Sequence, residues 1–522
     1  MHSGADSNSN GGGHVNKSRL AAIDIGTNSI RCIVVEVDQQ GRYAILDDEK
    51  ATVRLGENLA ASGSISSAAF ARAVDAISRI RKLIDGLKVT DVEAVATSAM
   101  RSALNGEELV AVLTRELGHE IKIISGDEEA ELVARSVRHN FDMSGKRYMI
   151  IDIGGGSVEI MSAVANHVES SFSLELGAVR MTDRFMKTDP VQPSEIEKLR
   201  RFVRSELKLS FPEERLTAQT FIGSGGTITT LANMVMSMRK HSFSSSHGYE
   251  VLRSEIVHLL AMLARKDVKS LRNIPGLNPD RADIIVAGLV VIDEVMKFFG
   301  ANMLLVNERG IREGLIINCI KRLKLLPDTA TQRNWKESVL EFARSCHYDE
   351  PHSRHVAKVA LSIFDTLAKE FGLKKNDRKL LEAAALLHDV GYFISYNSHH
   401  KHSHHLIRHA DLLGFSPRER EMMALIARYH RKSLPKKKHP EFERLEPKDQ
   451  LIVSRLGGIL RLSDGLDRRR SGMVEVVALT RSGAVFSFKL LGTEDISVEI
   501  FGGNAKKDLF EKAYGGAVVF EV

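Results

Sequence analysis

The sequence predicts an α/β protein with a duplicated N-terminal half, an all-helical domain after it and a small α+β domain at the end. Two stretches carry the duplication. In Ile151-Asp152-Ile153-Gly154-Gly155-Gly156-Ser157-Val158-Glu159, a strand beginning at Tyr148 ends on a carboxylate, turns through three glycines and resumes as a second strand. One domain length upstream, Ala22-Ile23-Asp24-Ile25-Gly26-Thr27-Asn28-Ser29-Ile30-Arg31 follows the same plan. Such a pair suggests two domains that close on one ligand from opposite sides. The third observation is a change of character: beyond the polar linker Pro327 to Arg333, helical patterns dominate until about Arg470, and strand patterns return from Met473. The expected domains are therefore a disordered tail over 1–18, paired domains over 19–142 and 143–326, a helical domain over 327–470 and a small α+β domain over 471–522.

The glycine turn is the element the rest is organised around. Without Cβ atoms the backbone approaches an oxyanion and points successive N–H groups at it, so Gly154, Gly155, Gly156 and Ser157 read as a phosphate cradle. Asp152 and Glu159 flank it, and carboxylates beside phosphate hold a divalent cation or position an attacking water. An ordinary hairpin with a glycine-rich turn is the plain alternative. Laid over one another, the copies match Asp24 with Asp152 and Ser29 with Ser157, while Arg31 falls where Glu159 stands. One lobe would offer a cation binder and the other an anion binder.

Length and composition bound the rest. At 522 residues the chain exceeds one hydrophobic core. Its 43% hydrophobic and 27% charged residues are those of a soluble globular protein, and a net charge of +6 favours anionic ligands weakly without pointing to nucleic acid. Cys32, Cys319 and Cys346 lack paired spacing, as in a reducing compartment. No apolar run approaches the roughly 18 residues that span a bilayer. Met1 to Ser18, rich in Ser, Asn and Gly, lacks a signal-peptide core, so a cytoplasmic protein is expected.

In chain order, Leu20 to Thr27 and Ser29 to Asp38 form a hairpin and Tyr43 to Leu55 a third strand. Ala68 to Leu87 places Phe70, Val74, Ile77, Ile80 and Ile84 at the helical period. The strand Val92 to Ala96 then delivers Thr97-Ser98-Ala99-Met100-Arg101 at the end where ligands collect in α/β folds, making Arg101 a candidate phosphate clamp against the alternative of a surface arginine. After a helix over Gly106 to Leu117 and a strand over Glu120 to Ile124, Ser125-Gly126-Asp127-Glu128-Glu129 opens another helix. Capping accounts for Glu128 and leaves Glu129 available as a general base. Phe172 to Leu176 continues the second sheet into Arg180, which would meet phosphate or pair with a nearby acid. A helix over Pro193 to Leu209 precedes Thr220-Phe221-Ile222-Gly223-Ser224-Gly225-Gly226-Thr227, a strand into a glycine turn and a second anion nest. A helix over Asp280 to Phe299, a strand over Met303 to Val306 and a helix over Gly310 to Leu325 end this half.

These motifs together resemble the exopolyphosphatase and guanosine pentaphosphatase (Ppx/GppA) family over residues 19 to 325. The agreement lies in Asp24-Ile-Gly-Thr-Asn-Ser29, Thr97-Ser-Ala-Met-Arg101, Ile124-Ser-Gly-Asp-Glu-Glu-Ala130, Asp152-Ile-Gly-Gly-Gly-Ser-Val-Glu159, Gly223-Ser-Gly-Gly-Thr227 and Gly310-Ile-Arg-Glu-Gly314. The resemblance implies the duplicated actin-like, ribonuclease H-like fold. It implies a hydrolase that removes terminal phosphate from inorganic polyphosphate, or from the 5′ end of guanosine pentaphosphate, with Mg2+ (or Mn2+). By it, Glu129 is the catalytic glutamate, Asp152 and Glu159 hold metal and orient water, and Asp24 faces them. The phosphate contacts fall on Asn28, Arg101 and the loops over Gly154 to Ser157 and Gly223 to Thr227. A homodimer is expected.

In the helical domain, His388 and Asp464 lie on apolar helical stripes, and a carboxylate on a core face is costly without a partner. His355, His388-Asp389 and Asp464 resemble the HD phosphohydrolase superfamily, with His402 and His430 as candidate ligands to a second divalent metal. The run His399, His400, His402, His404 and His405 reads mostly as a solvated loop. Lys436 to Lys438 and Arg468 to Arg470 read as solvated faces or as a track for a long polyanion. The end carries strands over Val474 to Thr480 and Val485 to Leu491, a helix over Ala505 to Tyr514 and a strand over Ala517 to Val522. Three functions compete: an exopolyphosphatase, a guanosine pentaphosphate phosphohydrolase, and a regulatory sensor whose HD half hydrolyses another phosphoester. A kinase of the same fold fits less well, because Glu129 sits in a hydrolase-type element.

Overall fold

Leu20, Ala21, Ala22 and Ile23 form an unbroken apolar run, and a strand so built is at rest only when both faces are covered. In the computed structural model, which describes residues 17–39, 41–143, 147–164, 167–211, 220–325, 334–492 and 494–522, all four are fully buried. Most of the expected tail, residues 1–16, and the linker over 327–333 lie outside the described residues. Ser18 already belongs to the first strand.

The strands are β1 (Ser18–Ile25), β2 (Ser29–Val37), β3 (Tyr43–Thr52), β4 (Asp91–Ala96) and β5 (Ile121–Ile123), lying side by side in the order β3-β2-β1-β4-β5. β1 is central, antiparallel to β2 and parallel to β4. Helices Ser67–Gly86 and Gly106–Leu117 share a core with this sheet through Ile77, Ile80, Leu109 and Leu113.

The plan then repeats. β6 (Arg147–Ile153), β7 (Val158–Val164) and β8 (His167–Leu174) meander antiparallel, and β9 (Thr220–Ser224) pairs parallel with β6. β10 (Glu250–Leu252) and β11 (Met303–Val306) complete the order β10-β11-β9-β6-β7-β8. Equivalent positions carry equivalent residues: Asp24 pairs with Arg31 across β1 and β2, and Asp152 with Glu159 across β6 and β7. The final helix of this half, Ile311–Arg322, returns to pack on β1 and β2. The helix expected from Asp280 begins only at Ile285, because Asn278 caps a separate short turn, Pro279–Arg281.

The second compact unit comprises residues 140–142, 240–249 and 332–522. Its helices include Trp335–Ser345, Glu350–Phe371, Lys375–Leu387, His399–His409, Pro417–Arg428 and Pro447–Gly465. β12 (Val474–Ser482), β13 (Val485–Gly492) and β14 (Ala517–Glu521) follow, with helices Ser497–Lys506 and Asp508–Tyr514 between β13 and β14. One core runs through both parts: Leu456, Leu460, Phe486, Phe488 and Phe510 belong to a single buried cluster. Residue 471 therefore marks a change of secondary structure and not a second core. The three cysteines are buried and free. Among the described residues no helix is long and apolar enough to cross a membrane.

Candidate functional site

Register partners on antiparallel strands point to one face, so Asp152 and Glu159 project together where β6 ends at the glycine turn. Glu129 joins them from the first turn of the helix Gly126–Asn140. One carboxylate oxygen from each of the three lies within 4.8 Å of the others, and all three residues are buried. Glu128 is spent on capping: it accepts from the Ser125 N–H at 2.7 Å while Ser125 Oγ accepts from Glu128 N. Arg101 Nη1 donates to Glu129 Oε2 at 2.9 Å and to the Ile124 carbonyl at 2.7 Å. Arg101 is thus engaged with Glu129 and is not free to clamp phosphate alone. Glu159 Oε1 accepts from Ser173 Oγ at 3.0 Å, whereas its Oε2 has no hydrogen-bond partner among the described residues.

Burial sets the protonation of this group. It pushes Glu129 well above the ordinary glutamate range, helped by the charge of Glu159 and opposed by Arg101. Burial and the negative Asp152 raise Glu159 to about 7, and burial raises Asp152 to about 6 against a hydrogen bond from Ser224. Three crowded carboxyls with an orphaned oxygen are the donor set a hard divalent cation takes. Asp24, whose Oδ1 is buried without a partner, faces the same cleft.

The cleft encloses about 820 Å³ of solvent-open space. Its wall includes Asn28, Arg31, the Gly154, Gly155, Gly156 and Ser157 loop, Gly225 and Gly226. Gly225 has φ +98°, and a Cβ there would sit 2.4 Å from the Ile153 carbonyl oxygen. A Cβ on Gly156 would fall 2.3 Å from Ser98 Oγ and 2.9 Å from Thr27 Oγ1, so the two lobes touch through this loop. Arg281 and Arg312, which sequence reasoning missed, also line the cleft. Arg281 is 8% exposed and makes no ion pair among the described residues; its Nη1 donates to Thr227 Oγ1 at 3.4 Å. Burial and the like charge of Arg31 lower its pKa to about 10. The available signal was Asn278-Pro279, a cap and a helix breaker ahead of Arg281.

Two expectations fail here. Arg180 does not line the cleft: it pairs with Glu175 at 2.8 Å and donates to Ser102 Oγ at 3.0 Å, the alternative left open by the sequence. Thr227 stands behind the wall as the support of Arg281, two residues from Thr229, which does line it.

The helical unit holds a second cluster. His352, His388 and Asp464 form one trio of convergent donor atoms, and Asp389, His399 and His430 another. His355 is not in it. It lies three residues from His352, half-buried beside Gly472, where the helix turns it away. His402 likewise gives way to His399, one turn earlier on a helix rather than a solvated loop, and His399, His400 and His404 are buried. Arg469 and Arg470 are engaged with Glu499 and Asp389, so that run is not a free basic face.

The imidazoles are held in one tautomer. His388 Nδ1 donates to the Ala385 carbonyl at 2.7 Å, His430 Nδ1 to that of Ala427 at 2.6 Å and His399 Nδ1 to that of Tyr396 at 3.1 Å. A carbonyl only accepts, so each Nδ1 carries the proton and each Nε2 offers a lone pair. His399 Nε2 and His430 Nε2 nevertheless stand 3.3 Å apart, with Asp389 Oδ1 3.2 Å from the first and 3.6 Å from the second. Burial holds His430 well below the ordinary histidine pKa, so a proton does not relieve this contact. A metal ion does. Asp389 Oδ2 lies 3.8 Å from His352 Nε2 and 3.7 Å from His388 Nε2, both of which lack a hydrogen-bond partner, so Asp389 bridges the trios.

A model of the Ppx/GppA phosphatase family matches residues 33–323, and one of Ppx/GppA phosphatase domain III matches residues 335–494. Among solved structures, the chain is similar to an exopolyphosphatase from Cytophaga hutchinsonii, with 28% identity and a TM-score of 0.55 over 59% of this chain and 100% of that one. It is also similar to the Ppx/GppA family member of Aquifex aeolicus, with 27% identity and a TM-score of 0.51 over 59% of this chain and 99% of that one. For an exopolyphosphatase-like protein the values are 26% and 0.55, over 59% and 99%.

Proposed function

This chain belongs to the Ppx/GppA phosphatase family, and we propose that it is an exopolyphosphatase releasing terminal phosphate from inorganic polyphosphate in the cleft of its N-terminal half. The observation that carries the reading is the cleft itself: the buried carboxyls of Glu129 and Asp152, with Glu159 beside them, meet glycine loops and the guanidinium groups of Arg31, Arg281 and Arg312, and none of the described lining residues is aromatic. A guanine base would find no ring to stack on there. This favours the phosphate chain over guanosine pentaphosphate, the alternative substrate.

Glu129 takes the proton of the attacking water, for which a raised pKa suits it. The water oxygen bonds to the terminal phosphorus, the bridging P–O bond breaks, and the shortened chain leaves with the electron pair. Arg101 holds Glu129 in place through its hydrogen bond. N–H groups of the Gly154 to Ser157 loop and of the turn at Gly225, with Asn28 and the three arginines, hold the oxygens on which charge accumulates. Asp152, Glu159 and Asp24 would hold Mg2+ (or Mn2+), which offsets phosphate charge when bound. The test compares phosphate release from long polyphosphate and from guanosine pentaphosphate in wild type, Glu129→Ala and His388→Ala. Loss with polyphosphate in Glu129→Ala alone supports the proposal; loss in His388→Ala alone overturns it.

For the helical unit the contact between His399 and His430 favours a second reading. We propose an HD-type divalent-metal site on His352, His388, Asp389 and Asp464, extended by His399 and His430, able to serve phosphoester hydrolysis.

A further inference from the structure

The outer edge of the second cluster is ringed by cations. Lys506 Nζ binds Asp464 Oδ2, and Arg470 Nη2 binds Asp389 Oδ2 at 2.6 Å. Arg431 Nη1 lies 3.2 Å from His399 Nε2. The side chains of Lys506 and Arg470 are 23% and 36% exposed, against 11% or less for the cluster residues they touch, so they stand between the donor atoms and solvent.

Their placement is built. Arg470 is a non-glycine residue at φ +57°, a conformation that persists where surroundings enforce it. Its guanidinium is held by Asp349 Oδ2 at 3.1 Å and Tyr392 OH at 3.1 Å and lies 5.2 Å from the Tyr392 ring centre. Lys506 ends the helix Ser497–Lys506, which belongs to the segment after the helical bundle and shares its core. That segment therefore carries a functional cation to the cluster.

Charge decides what these groups do. Lys506 and Arg470 lie against the Asp464 and Asp389 carboxylates, the same groups that face the donor nitrogens. Divalent ions on this cluster would compete with the two side chains for the carboxylates and leave them, with Arg431, as cations at the rim of the site. The ligand that suits such a rim is a compact dianion with several oxygens, which guanidinium and ammonium groups hold by charge-assisted hydrogen bonds. We propose that Lys506 and Arg470 form a metal-dependent phosphate clamp, turning from the carboxylates to the phosphate of a phosphoester once metal is bound. This rests on the reading of the cluster as a metal site.

The test uses the full chain, with Mn2+ and inorganic phosphate as calorimetric probes. Wild type is expected to show a class of Mn2+ sites, and a Mn2+-dependent class of phosphate sites, that His388→Ala lacks. Lys506→Met and Arg470→Met are expected to keep that Mn2+ stoichiometry while losing about 10-fold to 100-fold in the corresponding phosphate affinity. Unchanged phosphate affinity in both variants overturns the clamp, as does loss of Mn2+ binding with it. Equal Mn2+ binding by wild type and His388→Ala overturns the underlying metal reading instead.

Discussion

Arg101 and Glu129 form a half-buried hydrogen-bonded ion pair, Nη1 to Oε2 at 2.9 Å, with the same nitrogen anchored on the Ile124 carbonyl. The guanidinium lowers a carboxyl pKa that burial and Glu159 raise. Glu129→Gln is expected to cut phosphate release by about 100-fold to 10,000-fold with circular dichroism unchanged. Arg101→Met removes the lowering charge, so the acid limb of the pH–rate profile moves to higher pH. A limb that stays in place would separate Glu129 from the base role.

Asp152 and Glu159, raised to about 6 and about 7, make stability depend on pH. Between the unfolded carboxyl pKa values near 4 and these folded values, the native state binds more protons than the unfolded one, so stability falls as pH rises through that window. Their contribution is fully present below about pH 4 and is lost above about pH 7. Thermal melts in EDTA should show a Tm decline attributable to these groups from pH 5 to 8 that Asp152→Asn with Glu159→Gln reduces. Mg2+ should raise Tm more at pH 8 than at pH 5.

Arg281 is a buried guanidinium without an ion pair among the described residues. Arg281→Met removes an uncompensated charge while keeping much of the stem. It is expected to raise Tm by a few degrees and KM for polyphosphate about 10-fold or more. A fall in both stability and KM would contradict a role in holding phosphate.

Gly156 lies where the lobes touch, and a methyl group there meets Ser98 Oγ at 2.3 Å. Gly156→Ala is expected to cost about 1–3 kcal/mol of stability by overpacking and about 100-fold in turnover by displacing the cradle. Chemical denaturation and steady-state kinetics measure the two separately.

The duplicated half was legible because its signals are local. Glycine turns, a carboxylate ending a strand and the capping pair Ser125 and Glu128 lie within a few residues of each other, and the Asp152 to Glu159 hairpin fixes its own register. Arg281 was hidden because it fell in the first turn of the helix expected from Asp280, where the Asn278-Pro279 signal reads equally well as the start of that helix, which begins only at Ile285. Arg180 was undecided in sequence because its partner, Glu175, is also a plausible neighbour of any surface arginine. In the helical unit the expected His388, Asp389 and Asp464 converge, whereas the donor atoms beside them come from His352 and His399, three residues from the expected His355 and His402. Residues three apart share one broad helix face, so periodicity names the face and not the turn.

The compact unit that holds the histidine cluster also includes residues 140–142 and 240–249, and His241, Ser242 and Phe243 line a recess with Arg408, Arg418 and Glu421. Cutting the chain at the linker would strip that piece of its floor. Dissection experiments on this protein should accordingly silence one centre by point substitution within the whole polypeptide, because scissors placed at the obvious seam do not separate its working parts.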